Sequence, residues 1–162
     1  MGREQNPSDF HNHFQDMNLT FHVMRLAILW RAQLDRALRP EGMTLAAMRP
    51  MAYLMLRTAP MNQKDLAACM GLDSSALVRI LDSLEADGLL FRQSDPQDRR
   101  SKFIVLTTAG RKKCQQFHHI AAQVEAELTS FIKTGQKTEV ASVLATMEAR
   151  LSPHCVLPSD PS

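Results

Sequence analysis

Between residues 14 and 38 apolar side chains return at helical spacing: Met17, Val23 and Met24, Ala27, Trp30, Leu34 and Leu38. The pattern predicts one long helix, stopped by Pro40 and Gly42. Thr44 stands where an N-cap belongs and opens a second helix to about Arg57. Pro50 lies inside that helix, and its missing N–H predicts a kink or a break. Pro60 closes the stretch. Asn62 is a suitable N-cap for a short helix carrying Leu66, Ala67 and Met70, ended by Gly71. Asp73 caps the next helix, whose Ala76, Leu77, Ile80, Leu81 and Leu84 share one face before Gly88 ends it.

Beyond Gly88 the period changes. Residues 89–93 and 102–106 are short β-favouring runs, separated by a polar, proline-containing segment at 94–101. They predict a two-stranded hairpin with a long charged tip. Thr107 then caps a fifth helix to about Lys133, with Phe117, Ile120, Val124, Leu128 and Phe131 on one side. Gly135 is expected to break it. A last helix carries Val140, Val143, Leu144, Met147 and Leu151. Three prolines among the eleven residues from Ser152 predict a disordered tail. The expected fold is mainly α with a small β-hairpin. Its parts are a flexible N-terminal segment (1–13), a compact unit (44–106), a helical region (14–43 and 107–151) and the tail (152–162).

With 44% apolar residues in 162, the chain has enough for one domain core. No run approaches the roughly 18 apolar residues of a membrane span. The polar N-terminus lacks the basic-then-apolar build of a secretion signal, which points to the cytoplasm. Cys69, Cys114 and Cys155 form an odd set without C-x-x-C spacing, so neither a disulfide framework nor a zinc site is expected. Cys69 is expected to be buried. The cations Arg111, Lys112 and Lys113 beside Cys114 are expected to lower its thiol pKa. His118 and His119 point about 100° apart on a helix, the wrong arrangement for one shared metal. Nothing in the chain suggests a bound metal or cofactor, a nucleophile–base pair, a phosphate-binding glycine loop or paired carboxylates, so no enzyme is expected.

Charge sharpens the picture only locally. The net charge is +2, yet residues 88–113 hold seven basic side chains (Arg92, Arg99, Arg100, Lys102, Arg111, Lys112, Lys113) against two acids. Such an excess suits a polyanion, although a solvated charged face has the same composition. The order short helix, glycine turn, helix, hairpin is the layout of a winged helix-turn-helix, whose second helix enters the DNA major groove. Ser74 and Ser75 at the start of that helix suit phosphate contact, since the free N–H groups there favour an anion. Arg79, four residues after Ser75, shares its face and has the fork to grip guanine N7 and O6 or a phosphate. The plainer reading is that these three side chains cap and solubilise an exposed helix. In the hairpin tip Asp98 precedes Arg100 by two residues, so on a strand-like segment the acid can orient the guanidinium toward a narrow minor groove. Arg99 and Lys102 would reach flanking phosphates. A purely structural wing is the alternative.

The run from Gln63 to Gly110 resembles the MarR family. The resemblance lies in Leu66-Ala67, Gly71-Leu72, Leu84-Glu85-x-x-Gly88-Leu89, Asp95-Pro96-x-Asp98-Arg99-Arg100 and Leu106-Thr107-x-x-Gly110. Trp30-Arg31-x-x-x-Asp35, the later Pro40 and Thr44, and Leu77-Val78-Arg79 resemble the SlyA branch most closely. This resemblance implies a homodimer whose first and last helices interlock, with double-stranded DNA contacted by the second helix of the motif and the wing. It also implies a small aromatic or anionic effector in a crevice between the dimer helices and the winged unit. Met48 stands where relatives often carry an aromatic residue, and Pro50 lies nearby. A shared core would absorb the long apolar stripes of the first and last helices, and the ten methionines would serve as adaptable packing. The competing reading is a winged-helix module for protein assembly that does not touch DNA.

Overall fold

The computed structural model describes residues 18–57, 59–95 and 101–151. Six α-helices occur among them: α1 (Asn18–Leu38), α2 (Leu45–Met55), α3 (Gln63–Met70), α4 (Ser74–Ala86), α5 (Thr108–Leu128) and α6 (Thr134–Leu151). Three strands, β1 (Met61–Asn62), β2 (Leu90–Ser94) and β3 (Lys102–Leu106), form an antiparallel sheet in the order β1-β3-β2. The mainly helical fold with a small sheet agrees with the sequence reading. The third strand is an addition: Met61 pairs with Ile104 and Asn62 with Phe103. Two residues are too few to show an alternating pattern, which is why sequence reasoning passed over β1.

Capping chemistry sets the helix starts. Thr44 accepts from the Ala47 N–H, Asn62 from Asp65, Asp73 from Ser75 and Thr107 from Gly110. Asp35 of α1 adds a tertiary cap, accepting the Leu45 N–H at 2.8 Å and so fixing α2 against α1. Pro50 does not break α2, which runs unbroken from Leu45 to Met55. The residue is fully buried, and core contact offsets a lost helical bond that costs about 3 kcal/mol.

The fifth helix ends earlier than expected, at Leu128. The Thr129 hydroxyl donates back to the Glu125 carbonyl at 2.7 Å, and the Ile132 N–H closes a turn on the Thr129 carbonyl. Gly135 is not the breaker; it lies in the first turn of α6, where a helical N–H has no intrahelical partner to lose. Gly110 has a stricter role. A Cβ there would stand 1.9 Å from the Leu89 carbonyl oxygen, so only glycine lets the start of α5 lie against the entry to β2.

The core is centred on the winged unit and takes in the end of α1 and the first half of α5. Leu38, Met48, Met51, Leu66, Leu77, Leu81 and Leu90 are all fully or almost fully buried, and Leu34, Ile80 and Phe117 pack around them. By contrast α6 buries nothing and α1 buries only Leu38. Ile28 is 67% exposed, Leu29 52% and Leu144 44%. No helix among the described residues is long and apolar enough to cross a membrane.

Candidate nucleic-acid interface

Helices α3 and α4 meet at a tight turn that only a left-handed residue closes. Gly71 supplies it at φ 61°, donating its N–H to the Ala67 and Ala68 carbonyls. Asp73 then starts α4, which turns Leu77, Leu81 and Leu84 into the core. The opposite face presents Ser74, Ser75, Arg79, Asp82 and Ser83 to solvent. Ser75, Arg79 and Asp82 follow at spacings of four and three, so they form one stripe along the helix. Arg79 makes no hydrogen bond or ion pair among the described residues, so its guanidinium is free for an external partner.

Beside this stripe lies a concavity of about 610 Å³. Its wall comprises Asn62, Gln63 and Lys64 at the start of α3, Ser74 at the start of α4, and Arg92, Ser101, Lys102 and Ile104 of the wing. Two helix N-termini and two lysines thus open onto one surface, the arrangement that favours an anionic backbone. The structure brings Ser74 and Lys102 together here, while Ser75 and Arg79 continue along the outer face of α4. Asn62, Gln63 and Lys64 were not among the DNA-contact residues expected from the sequence. The signal was available, because the first helix of a helix-turn-helix crosses the DNA backbone. Asp98, Arg99 and Arg100 lie outside the described residues.

The local positive excess shrinks once the partners of its members are known. Arg92, counted as part of a basic footprint, is an internal ion-pair centre. Its Nη2 lies 2.6 Å from Asp82 Oδ1, its Nη1 donates to Glu85 Oε2, and its backbone N–H donates to Glu85 Oε1 at 3.0 Å. Burial opposes the charge, but the two carboxylates outweigh it and hold the guanidinium pKa above its ordinary value. Lys113 donates to the Glu41 carbonyl at 3.3 Å, and Arg111 lies 4.0 Å from the Met55 sulfur. Adjacent position in the sequence does not make these cations one patch.

A separate cavity of about 340 Å³ opens between α2 and α5. Ala52, Met55, Leu56, Cys114, Gln115, Phe117 and His118 line it. Met48 and Pro50 are buried in the core and do not line it. Three cysteine expectations, no disulfide, a buried Cys69 and a lowered Cys114 pKa, are corrected. Cys69 is only partly buried and is disulfide-bonded. Cys114 is free and buried, and burial pushes its thiol pKa up against the opposing pull of Arg111. Among the described residues no three His, Cys, Asp or Glu side chains are grouped to hold a metal.

A short helix, a glycine turn, a second helix with an exposed polar face and a wing strand pair define a winged helix-turn-helix protein. A sequence model of the MarR family matches residues 41–101. The fold of a MarR-family transcriptional regulator from Rhodococcus sp. RHA1 superposes with a TM-score of 0.74 at 26% identity, covering 94% of this chain and 100% of that one. CouR from Rhodococcus jostii RHA1, solved bound to p-coumaroyl-CoA, gives 0.72 at 26% identity over 90% of this chain and 96% of that one. The transcriptional regulator PA3341 gives 0.73 at 30% identity, covering 82% and 97%. The chain belongs to the MarR family of winged-helix, DNA-binding transcriptional regulators.

Proposed function

We propose that the protein is a sequence-specific repressor that binds a pseudo-palindromic operator in double-stranded DNA as a homodimer. The observation that carries this reading is the exposed Arg79 on α4, without an ion pair among the described residues, preceded on that helix by Ser74 and Ser75 and set beside the lysine-lined concavity. Arg79 is the base reader, or the ligand of an adjacent phosphate. Lys64 and Lys102 neutralise backbone phosphates. From the sequence, Arg100, oriented by Asp98, is the proposed minor-groove reader and Arg99 the proposed ligand of a flanking phosphate. The exposed apolar faces of α1 and α6 support the homodimer, because a second copy supplies the partner that each face lacks. Residues 14–43 and 107–151 are accordingly the dimerisation region and 44–106 the DNA-binding unit. The Trp30, Arg31 and Asp35 motif supports a place in the SlyA branch.

The cavity between α2 and α5 is the proposed effector site. Its lining has two polar groups, Gln115 and His118, in otherwise apolar or sulfur-bearing surroundings. That composition suits an aromatic body. Arg111, 4.0 Å from the sulfur of the lining residue Met55, is the proposed cation for an acidic substituent. A ligand shifts DNA affinity only by binding the DNA-competent and DNA-incompetent forms unequally. Release of DNA on effector binding therefore requires the cavity to differ between them.

The test is fluorescence anisotropy with the duplex that the protein enriches from a randomised library, against a scrambled duplex of equal length. Arg79→Ala should cost about 1–3 kcal/mol on the enriched site and relax its sequence preference. Lys102→Ala should weaken both duplexes alike and reduce the salt slope by about one unit. Equal affinity of the unaltered protein for both duplexes would reject the reading.

A further inference from the structure

We propose that Arg92 is a positioning residue for DNA recognition and not a DNA ligand. It locks the rotation of α4 against the wing and holds Asp82 away from Arg79. The inference rests on the DNA-binding reading above. Arg92 lines the concavity, and from its charge alone it would be assigned to a phosphate. Its side chain is only 18% exposed, however, and both arms of the guanidinium are occupied by carboxylates of α4. The cations left for phosphates in that wall are Lys64 and Lys102.

The geometry explains why two acids are used. A single ion pair between a strand and a helix is a pivot about which the helix can roll. Asp82 and Glu85 are three residues apart, one turn along α4, and Arg92 spans them while its own N–H is fixed on Glu85. Three contacts that do not lie on one line hold both the distance and the roll. Ser75 and Arg79 belong to the same rigid helix, so the roll decides whether they face the major groove when the wing sits at the backbone. The planar fork does this in a way that a lysine ammonium cannot.

A second consequence follows from spacing. Asp82 lies three residues after Arg79 on the exposed stripe, a separation at which acid and base pair along a helix. Such a pair would neutralise the base-reading guanidinium. Instead Asp82 Oδ1 is held 2.6 Å from Arg92, and Arg79 has no ion pair among the described residues.

The test is a double-mutant cycle of Arg92→Gln and Glu85→Gln in the full chain, using the enriched and scrambled duplexes and a salt titration. Each single change should lower affinity for the enriched site about tenfold, and the double change should be no worse than either. The salt slope should stay at the unaltered value because no phosphate ligand is lost. Arg92→Lys should keep the affinity for scrambled DNA but not the preference for the enriched site. Tighter binding by Glu85→Gln, or a slope lower by about one unit in Arg92→Gln, would make Arg92 a phosphate ligand and overturn the inference. Unchanged discrimination in every variant would overturn it as well. Should Arg92→Gln fail to fold by circular dichroism, Asp82→Asn at the more exposed arm of the fork carries the test. Weaker discrimination supports the inference there, and equal or tighter binding refutes it. An unaltered protein with no preference between duplexes defeats the DNA-binding reading itself, whereas an intact preference untouched by these variants defeats only the role of Arg92.

Discussion

The winged unit and the long helices solve the problem of apolar surface differently. In the winged unit Leu66, Leu77, Leu81 and Leu90 are buried by residues of the same chain. Along α1 and α6 apolar residues also recur, yet Ile28, Leu29, Val143 and Leu144 face solvent. A helical stripe in a sequence therefore says that something will cover it, and not what. Here the proposed cover is a second copy, which would also set the spacing between two recognition helices.

Four substitutions probe the two regions, in decreasing order of consequence. Leu81→Ala removes a fully buried side chain of α4 and should cost about 2–5 kcal/mol, read by chemical denaturation. Leu144→Asp should leave the winged unit folded by circular dichroism while abolishing the concentration dependence of Tm that a dimer imposes. Retention of that dependence would remove α6 from the interface. Asn62→Ala deletes the cap that accepts from Asp65 at 2.9 Å and should cost about 1 kcal/mol, without altering the oligomeric state.

The smallest effect concerns Cys114, whose thiol burial holds above its ordinary pKa. The folded protein then binds that proton more tightly than the unfolded chain does. Its contribution to stability is complete below the ordinary thiol pKa of about 8.5 and is lost as pH rises through the higher folded value. Cys114→Ala should flatten the decline in stability at alkaline pH, measured by denaturation between neutral and alkaline buffers. An unchanged pH profile would contradict the assignment.

The parts that were legible in the sequence have local causes. Thr44, Asn62, Asp73 and Thr107 act as caps where the sequence placed them, and the residues expected on the inner face of α4 include its buried Leu77, Leu81 and Leu84. What escaped depends on contacts between distant residues. Strand β1 exists because β3 pairs with it. Pro50 stays helical because the core receives it, and α5 stops at Leu128, short of the glycine from which its end was expected. For the candidate site, Ser75 and Arg79 share the exposed face their spacing implied, and Ser74 and Lys102 are exposed as well. Arg92 was misjudged because charge counting cannot see two carboxylates on the neighbouring helix. Lys64 was missed because it contributes through the meeting of α3, α4 and the wing.

On the proposed reading, one chain carries a recognition unit but only half of an oligomerisation core. The direct measurement is the mass of the complex with the enriched duplex by sedimentation velocity at micromolar protein. Two chains per duplex, with a dimer already formed in the absence of DNA, is the predicted result. A stable monomer alone, or a single chain per duplex at saturation, would contradict it.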